Sequence, residues 1–420
     1  MKRKITALLL SAVLLLSLCG APAVLADEAE AGAIQPDPVG SVSFANLDQR
    51  LRENNFNLLA LEETIASIQS IDYDRMEDTL RDNLNNIAQA QWQFISMGSA
   101  VDSMVGGMMP GLGTAMTSAS VQSMTQAYDS LRDTFDDLRD GKLQADNADV
   151  VRQLRSAQDQ IVMASQALYI ALIGMEDSLV TVDRGLATLD RTIQEMELRH
   201  ELGQISALTL QDVTANRTAL RSSRQTLVAN IENYKMQLEL MIGGELTGTI
   251  DLGALPEVTA DQVAEMDLEA DLEKAIAASY ELYAAKKTLE DAEEDYKDAK
   301  KQYGYSSTRY EAVMAEHTWQ ASQYTYSATC QNFEMKFRTL YQKVTDGVQV
   351  LAAARAALET KKADHAAAAL KYDQGAISRN ALLTAQDEVA AAQDTVTTAA
   401  LDLFTAYNNY RWAVDHGIIS

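Results

Sequence analysis

The side chains that most often carry catalysis are few in this sequence and far apart. The four histidines, His200, His317, His365 and His416, form no HExxH-type cluster, and the two cysteines, Cys19 and Cys330, cannot make a CxxC zinc or redox site. No GxSxG, Walker A or GxGxxG stands on a strand–helix unit, so no activated nucleophile or phosphate cradle is expected. The sequence therefore reads as a protein that is not an enzyme and takes no cofactor or metal. What remains is binding chemistry, and its candidates are two short segments of one pattern. Glu201-Leu202-Gly203-Gln204-Ile205-Ser206 and Asp373-Gln374-Gly375-Ala376-Ile377-Ser378 each set a glycine inside an otherwise unbroken helical pattern. Glycine there supplies the left-handed residue that closes one helix and lets the chain double back.

The elements that must hold these turns are long heptad helices. Leu154, Ile161, Leu168, Met175, Val182, Leu189 and Met196 recur every seven residues, with Leu172, Leu179, Leu186 and Ile193 as the companion row. An apolar pair of rows kept over several heptads specifies a long coiled-coil helix. Further series run Val213, Leu220, Leu227, Tyr234, Met241; then Phe337, Val344, Leu351, Leu358, His365, Tyr372; then Leu382, Val389, Val396, Leu403, Tyr410. The last has an all-alanine companion row, Ala385, Ala392, Ala399, Ala406 and Ala413, which lets a neighbouring helix approach closely. His365 lies in a seam with no second ligand near it in sequence, which predicts a buried neutral imidazole.

The pattern occurs twice. After each glycine turn a long helix closes in similar fashion, with Asn233-Tyr234 before Ile242-Gly243 and Asn409-Tyr410 before His416-Gly417. The starts also match: Asn57-Leu58-Leu59-Ala60 resembles Glu281-Leu282-Tyr283-Ala284. Residues 27–243 read as a first repeat, 244–267, with Gly244, Gly248, Gly253 and Pro256, as a linker, and 268–420 as a second repeat.

Residues 1–26 read as an export signal: basic Lys2, Arg3 and Lys4, an apolar run from Ile5 to Leu18, and cleavage after Ala26. Leu18 is too large to precede a lipidated cysteine, which weighs against lipidation at Cys19. The protein is thus expected to be exported to the cell envelope, the outer membrane where the host has one and the cell surface otherwise. Its 60 acidic against 35 basic residues give a net charge of −25, which excludes nucleic acid as the main partner because phosphate contacts need a basic surface.

Two halves, each with long helices around an x-x-x-G-x-x-x turn, an Asn-Tyr near the next helix end and a Leu-rich stretch closing in glycine, resemble the TolC outer-membrane efflux protein family. The resemblance covers roughly 44–417. It implies a homotrimer whose helices form a hollow tapered duct for export, working with a membrane-fusion adaptor and an inner transporter. It also implies that the two turns are the tips that meet the adaptor, placing His200, Leu202, Gly203, Gln204 and Ile205 at one and Tyr372, Gln374, Gly375, Ala376 and Ile377 at the other. Tyr372 matches a tyrosine that helps hold the tip closed, and its first-half counterpart is His200. The sequence departs from the family in having Ala381 and Thr384 where acidic residues ring the pore entrance. A non-conducting cell-surface coiled-coil scaffold derived from the same fold is the alternative reading.

A second departure concerns barrel strands. Counting back from Gly375 leaves only a short turn, Tyr303-Gly304-Tyr305-Ser306-Ser307, between helices of the second half, with no room for spanning strands of about 9–11 residues. The fold class expected is all-α: antiparallel coiled-coil hairpins in two tandem repeats, a TolC-like α-barrel protomer without a β-barrel. At the matching place the first half carries an insertion, about 80–131, rich in glycine and methionine. Two short apolar helices with a Gly-Pro elbow fit it, with Met104, Met108, Met109, Pro110, Leu112 and Met116 at the tip. Such a hairpin could pack against its mates in the trimer or seek a membrane. Trp92, Trp319 and Trp412 are scattered and are expected to pack.

Overall fold

The computed structural model describes residues 37–105, 111–303 and 309–419. The export-signal reading, the Gly-Pro elbow with Met108, Met109 and Pro110, and the Gly304–Ser307 turn lie outside these residues. Among the described residues the regular structure is helical, apart from one parallel pair of two-residue strands, β1 (Ser41–Val42) and β2 (Asp251–Leu252). The fold is the all-α arrangement of long hairpins expected from the heptads.

The first half comprises α1 (Phe44–Asn54), α2 (Phe56–Gln69), α3 (Tyr73–Val105), α4 (Leu112–Arg139), α5 (Lys142–Glu201) and α6 (Ala207–Met241). After the short α7 (Ala260–Ala264), the second half comprises α8 (Leu268–Ala278), α9 (Tyr280–Tyr303), α10 (Tyr310–Asp373) and α11 (Arg379–His416). The 60 residues of α5 and 64 of α10 make rods of about 90 Å. Each doubles back at its glycine into α6 or α11.

The repeat is visible in the backbone. Asn55 breaks α1 from α2 and Ser279 breaks α8 from α9, each extended at ψ 113° and 119°. Each still donates its N–H to the carbonyl four residues back, Leu51 at 2.8 Å and Ala275 at 3.0 Å. The glycine that closes the last helix of each half packs on that break. Gly243 sits against Asn54, and Asn55 Nδ2 donates to the Met241 carbonyl at 2.9 Å. Gly417 sits so close to Ser279 that a Cβ there would lie 2.3 Å from its Cα.

Each half has its own core. Leu47, Leu51, Leu58, Val162, Tyr169, Leu172 and Leu238 form one cluster, and Leu272, Leu282, Phe337, Val344, Leu403 and Tyr410 the other. Tyr169 ties the first core to the strand pair, its hydroxyl reaching the carbonyls of Gly253 at 2.6 Å and Val42 at 3.0 Å. Tyr410 in the second core donates to the buried Asp271 at 2.6 Å. Glycine and alanine permit the close helix contacts that the alanine row implies: Gly347 of α10 lies against Leu403 of α11.

Two details differ from expectation. The inserted stretch is one hairpin of two long helices, α3 with 33 residues and α4 with 28, rather than two short ones. Gly98 and Gly113 lie within these helices and face each other: a Cβ on Gly113 would lie 2.1 Å from the Gly98 carbonyl oxygen. Trp92 lies on the outside of α3, 70% exposed. Trp412 is buried and Trp319 stacks on Tyr296 at 5.0 Å, so only these two pack as expected.

Candidate partner-binding site

Both glycine turns are built from the same bonds. Gly203 and Gly375 share φ +71°. In the first turn Gly203 N donates to His200 O and Gln204 N to Arg199 O, both at 2.8 Å; in the second Gly375 N donates to Tyr372 O and Ala376 N to Lys371 O, both at 2.8 Å. These are the paired 5→2 and 6→1 bonds that satisfy the orphan carbonyls of a helix end. The next helix starts alike too, with Ser206 capping Thr209 N and Ser378 capping Ala381 N, each at 3.2 Å. Capping by serine fixes where α6 and α11 begin.

Whether two such turns make one site depends on their register, and that is set by α5 packing against α11 in antiparallel. Trp412 Nε1 donates to Gln166 Oε1 at 2.7 Å. Eighteen residues further on, Arg184 pairs with Asp394, and seven further still Arg191 pairs with Asp387. Asn380 Nδ2 then donates to Glu195 at 3.0 Å. Twelve residues on from Arg191 is Gly203, and twelve back from Asp387 is Gly375. The two turns are therefore level at one end.

The opposite side of α5 is held to α6 by a second ladder of the same period. Glu176 pairs with Lys235 at 2.7 Å, Asp183 with Arg224, and Asp190 with Arg217 at 3.2 Å. The Arg224 guanidinium bonded to Asp183 holds that carboxyl below its ordinary range. Lys361 to Glu388, at 2.8 Å, joins α10 to α11. The strip thus runs α6, α5, α11, α10, with α9 packed along the start of α10; among the described residues no further helix packs broadly on α6 or on the turn-ward half of α10, and these are its free flanks.

The sequence-derived tip residues all fall on this end. Leu202 is 64% exposed, Tyr372 is at the surface, and Gln204, Gln374 and Ala376 are exposed. Ile205 and Ile377 are half-buried beneath the turns. His200 Nδ1 lies 3.2 Å from the Ile205 carbonyl and braces the first turn. Tyr372 carries no such brace among the described contacts, so the two counterparts differ in role. Leu198, Leu208 and Leu370 add exposed apolar surface that the sequence reading passed over. Its signal was their position within a turn or so of each glycine, off the heptad seams. Ala381 and Thr384 are exposed on the first turns of α11, and Thr384 Oγ1 donates to its own helix at Asn380 O. The neighbouring charges, Glu195, Arg191 and Asp387, are engaged between helices.

The other predicted group is at the α3–α4 hairpin, whose foot is tied to α5 by Asn147 Nδ2 donating to the Tyr73 hydroxyl at 2.8 Å. Met104 is 87% exposed near the end of α3, and Leu112 and Met116 lie on the first turns of α4. Among the described residues no three of His, Cys, Asp and Glu gather to hold a metal ion.

No family model matches the chain, and no curated protein sequence does either. Among solved structures it is similar to the outer-membrane channel OprN, at 13% identity and a TM-score of 0.49 over 89% of this chain and 90% of that one. It is similar to CusC at 16% identity and 0.46, over 89% and 96%, and to the open state of the MtrE outer-membrane channel of Neisseria gonorrhoeae at 13% and 0.44, over 90% and 89%.

Proposed function

We propose that this protein is the envelope duct of an export system: a TolC-like homotrimer whose glycine-turn end docks a membrane-fusion adaptor and, through it, an inner transporter. The observation that carries this reading is the level register of Gly203 and Gly375, which gathers two matching, apolar, exposed turns at one end of a long strip. Three copies would bring six such turns together. The free flanks of α6 and α10 support it further. Leu208 and Leu240 of α6, and Val350 and Met335 of α10, are exposed. A ring in which α6 of one copy meets α10 of the next would cover them, with closed symmetry and no edge left over. The energy source would lie in another protein, since the sequence has no nucleotide motif.

The test is the assembly state of the chain without residues 1–26. Sedimentation at micromolar concentration should give a trimer, and negative-stain images should show short tubes with an axial hole. A monomer, or solid rods, would remove the duct. A non-conducting surface scaffold is the second reading, favoured by the helical hairpin that stands where the family it resembles carries spanning strands. Ion conductance in planar bilayers separates the two.

A further inference from the structure

A cavity of about 250 Å³ lies where the linker crosses the helical strip. Helices α5, α10 and α11 wall it, and linker residues 254–258 lie over it. Leu255 of this segment packs on the first core and Val258 on the second, so the segment spans both halves. The floor is apolar, with Leu351 of α10 and Leu403 and Phe404 of α11 all buried. Among the described residues the backbone of 254–258 makes no hydrogen bond, which leaves its carbonyl oxygens with unused accepting capacity.

The ladder between α5 and α11 is broken at this level. Two of its rungs place Arg184 against Asp394 and Arg191 against Asp387. One heptad earlier on α5 stands Asp177, and one heptad later on α11 stands Leu401. The helices keep their register here, since a Cβ on Gly174 would lie 3.0 Å from Leu401 Cδ2. An acid thus occupies the arginine's place and a leucine the acid's, and both line the cavity. Among the described residues the Asp177 carboxylate accepts no hydrogen bond and joins no ion pair. The nearby charges are engaged: Glu176 with Lys235 at 2.7 Å, Asp394 with Arg184, and Arg355 of the cavity wall with Glu257 at 3.8 Å. Burial, with Glu176 and Asp394 close by, pushes the Asp177 carboxyl above its ordinary range. A carboxylate so placed lacks a positive charge, and beside apolar walls an opposite charge binds it more strongly than in open water. An apolar cavity with one perturbed ionisable group converging on it is the form that small-ligand sites take.

We infer that this cavity binds a small organic cation, whose ammonium or guanidinium head meets Asp177 in place of the missing arginine and whose apolar body lies against Leu351, Leu403 and Phe404. The volume is below that of drug-sized sites, which sets the ligand at one ring or a short chain. All the walls belong to one chain, so the inference rests on neither the trimer nor conduction.

The experiment is a saturation-transfer NMR titration of the chain without residues 1–26 at neutral pH. The probes are phenethylamine, a cation, and phenylethanol, its neutral counterpart of the same shape. The parent should bind the amine about tenfold or more tightly than the alcohol, the worth of one charge-assisted hydrogen bond. Asp177→Asn should keep the far-UV circular dichroism and melting temperature, weaken the amine to the level of the alcohol and leave the alcohol unchanged. Ala400→Leu, which fills the cavity from α11, should weaken both. Equal binding of the two probes by the parent, or binding of neither, overturns the inference and needs no variant. So does amine binding that survives Asp177→Asn, or binding of both probes that survives Ala400→Leu. Phenylpropionate binding more tightly than the amine assigns the cavity to anions through Arg355 and also overturns it. A monomer by sedimentation that still prefers the amine overturns the duct reading and leaves this one standing.

Discussion

Gly417, Gly203 and Gly375 share one backbone conformation in different surroundings, so their alanine variants separate strain from contact. All three have φ between +64° and +71°. A methyl group at Gly203 or Gly375 meets nothing within 4 Å, so Gly203→Ala and Gly375→Ala should cost only the left-handed penalty of roughly 1 kcal/mol. At Gly417 the added Cβ would sit 2.3 Å from both Ser279 N and Cα and 2.7 Å from Ala278 C. These are backbone atoms, so no side chain can rotate away. The break at Ser279 or the end of α11 must move, and overpacking of that kind adds about 1–3 kcal/mol, for a total of about 2–4 kcal/mol. Urea unfolding followed by circular dichroism at 222 nm should place Gly417→Ala well below the two tip variants in midpoint. If Gly417→Ala unfolds within about 1 kcal/mol of Gly203→Ala, the close packing of the helix end on the Ser279 break is wrong.

Two further predictions concern protons. His416 Nδ1 lies 3.0 Å from Asp159, and that hydrogen bond raises the imidazole pKa above its ordinary 6.5 despite partial burial. Its contribution is full below 6.5 and is lost as pH rises through the folded value, so stability should decline above pH 6.5 and the decline should flatten in His416→Gln, read from urea midpoints across the range. Burial alone would raise the Glu239 pKa, but its carboxylate accepts from the backbone N–H groups of Thr247, Gly248, Thr249 and Ile250 at 2.6 to 3.1 Å, which together hold it below 4.5. Its contribution is present above 4.5 and fades as pH falls through the lower folded value; Glu239→Gln should cost about 2–3 kcal/mol at neutral pH and remove that acid limb, and an unchanged midpoint would count against the carboxylate as the anchor of this loop.

The helices and turns were legible because each leaves a local mark. A seven-residue apolar period and a glycine between two such runs depend on one stretch of chain at a time. What binds the stretches to one another left weaker marks. Asp183 and Asp190, Arg184 and Arg191, Arg217 and Arg224, and Asp387 and Asp394 all stand seven apart, yet each reads as a solvated face until the register is known. The breaks at Asn55 and Ser279 matched in sequence only as a Leu-Ala similarity nearby, because two polar caps of different type do the same work. Trp92 was misplaced for a different reason. Tryptophan is usually inside, and periodicity cannot say which face of a helix its neighbours leave uncovered.

The means of cohesion changes along the hairpins, and the change has a functional sense. Near the breaks the third heptad series is fully buried, from Phe337 through Val344 to Leu351 and Leu358. Further along the same row His365 is half-buried and Tyr372 is exposed. As the apolar seam thins, ion pairs take over between α5 and its two neighbours, centred on Arg184, Asp183, Arg191 and Asp190. Exposed or half-exposed ion pairs are individually weak, about 0–1 kcal/mol, and they hold geometry with little cost to sliding or parting. An apolar core would lock helices at one spacing, because close-packed interiors resist small displacements. A strip that is rigid at its breaks and held by exchangeable pairs towards its glycine turns can shift those turns without unfolding. That is a property the proposed adaptor-docking end would use.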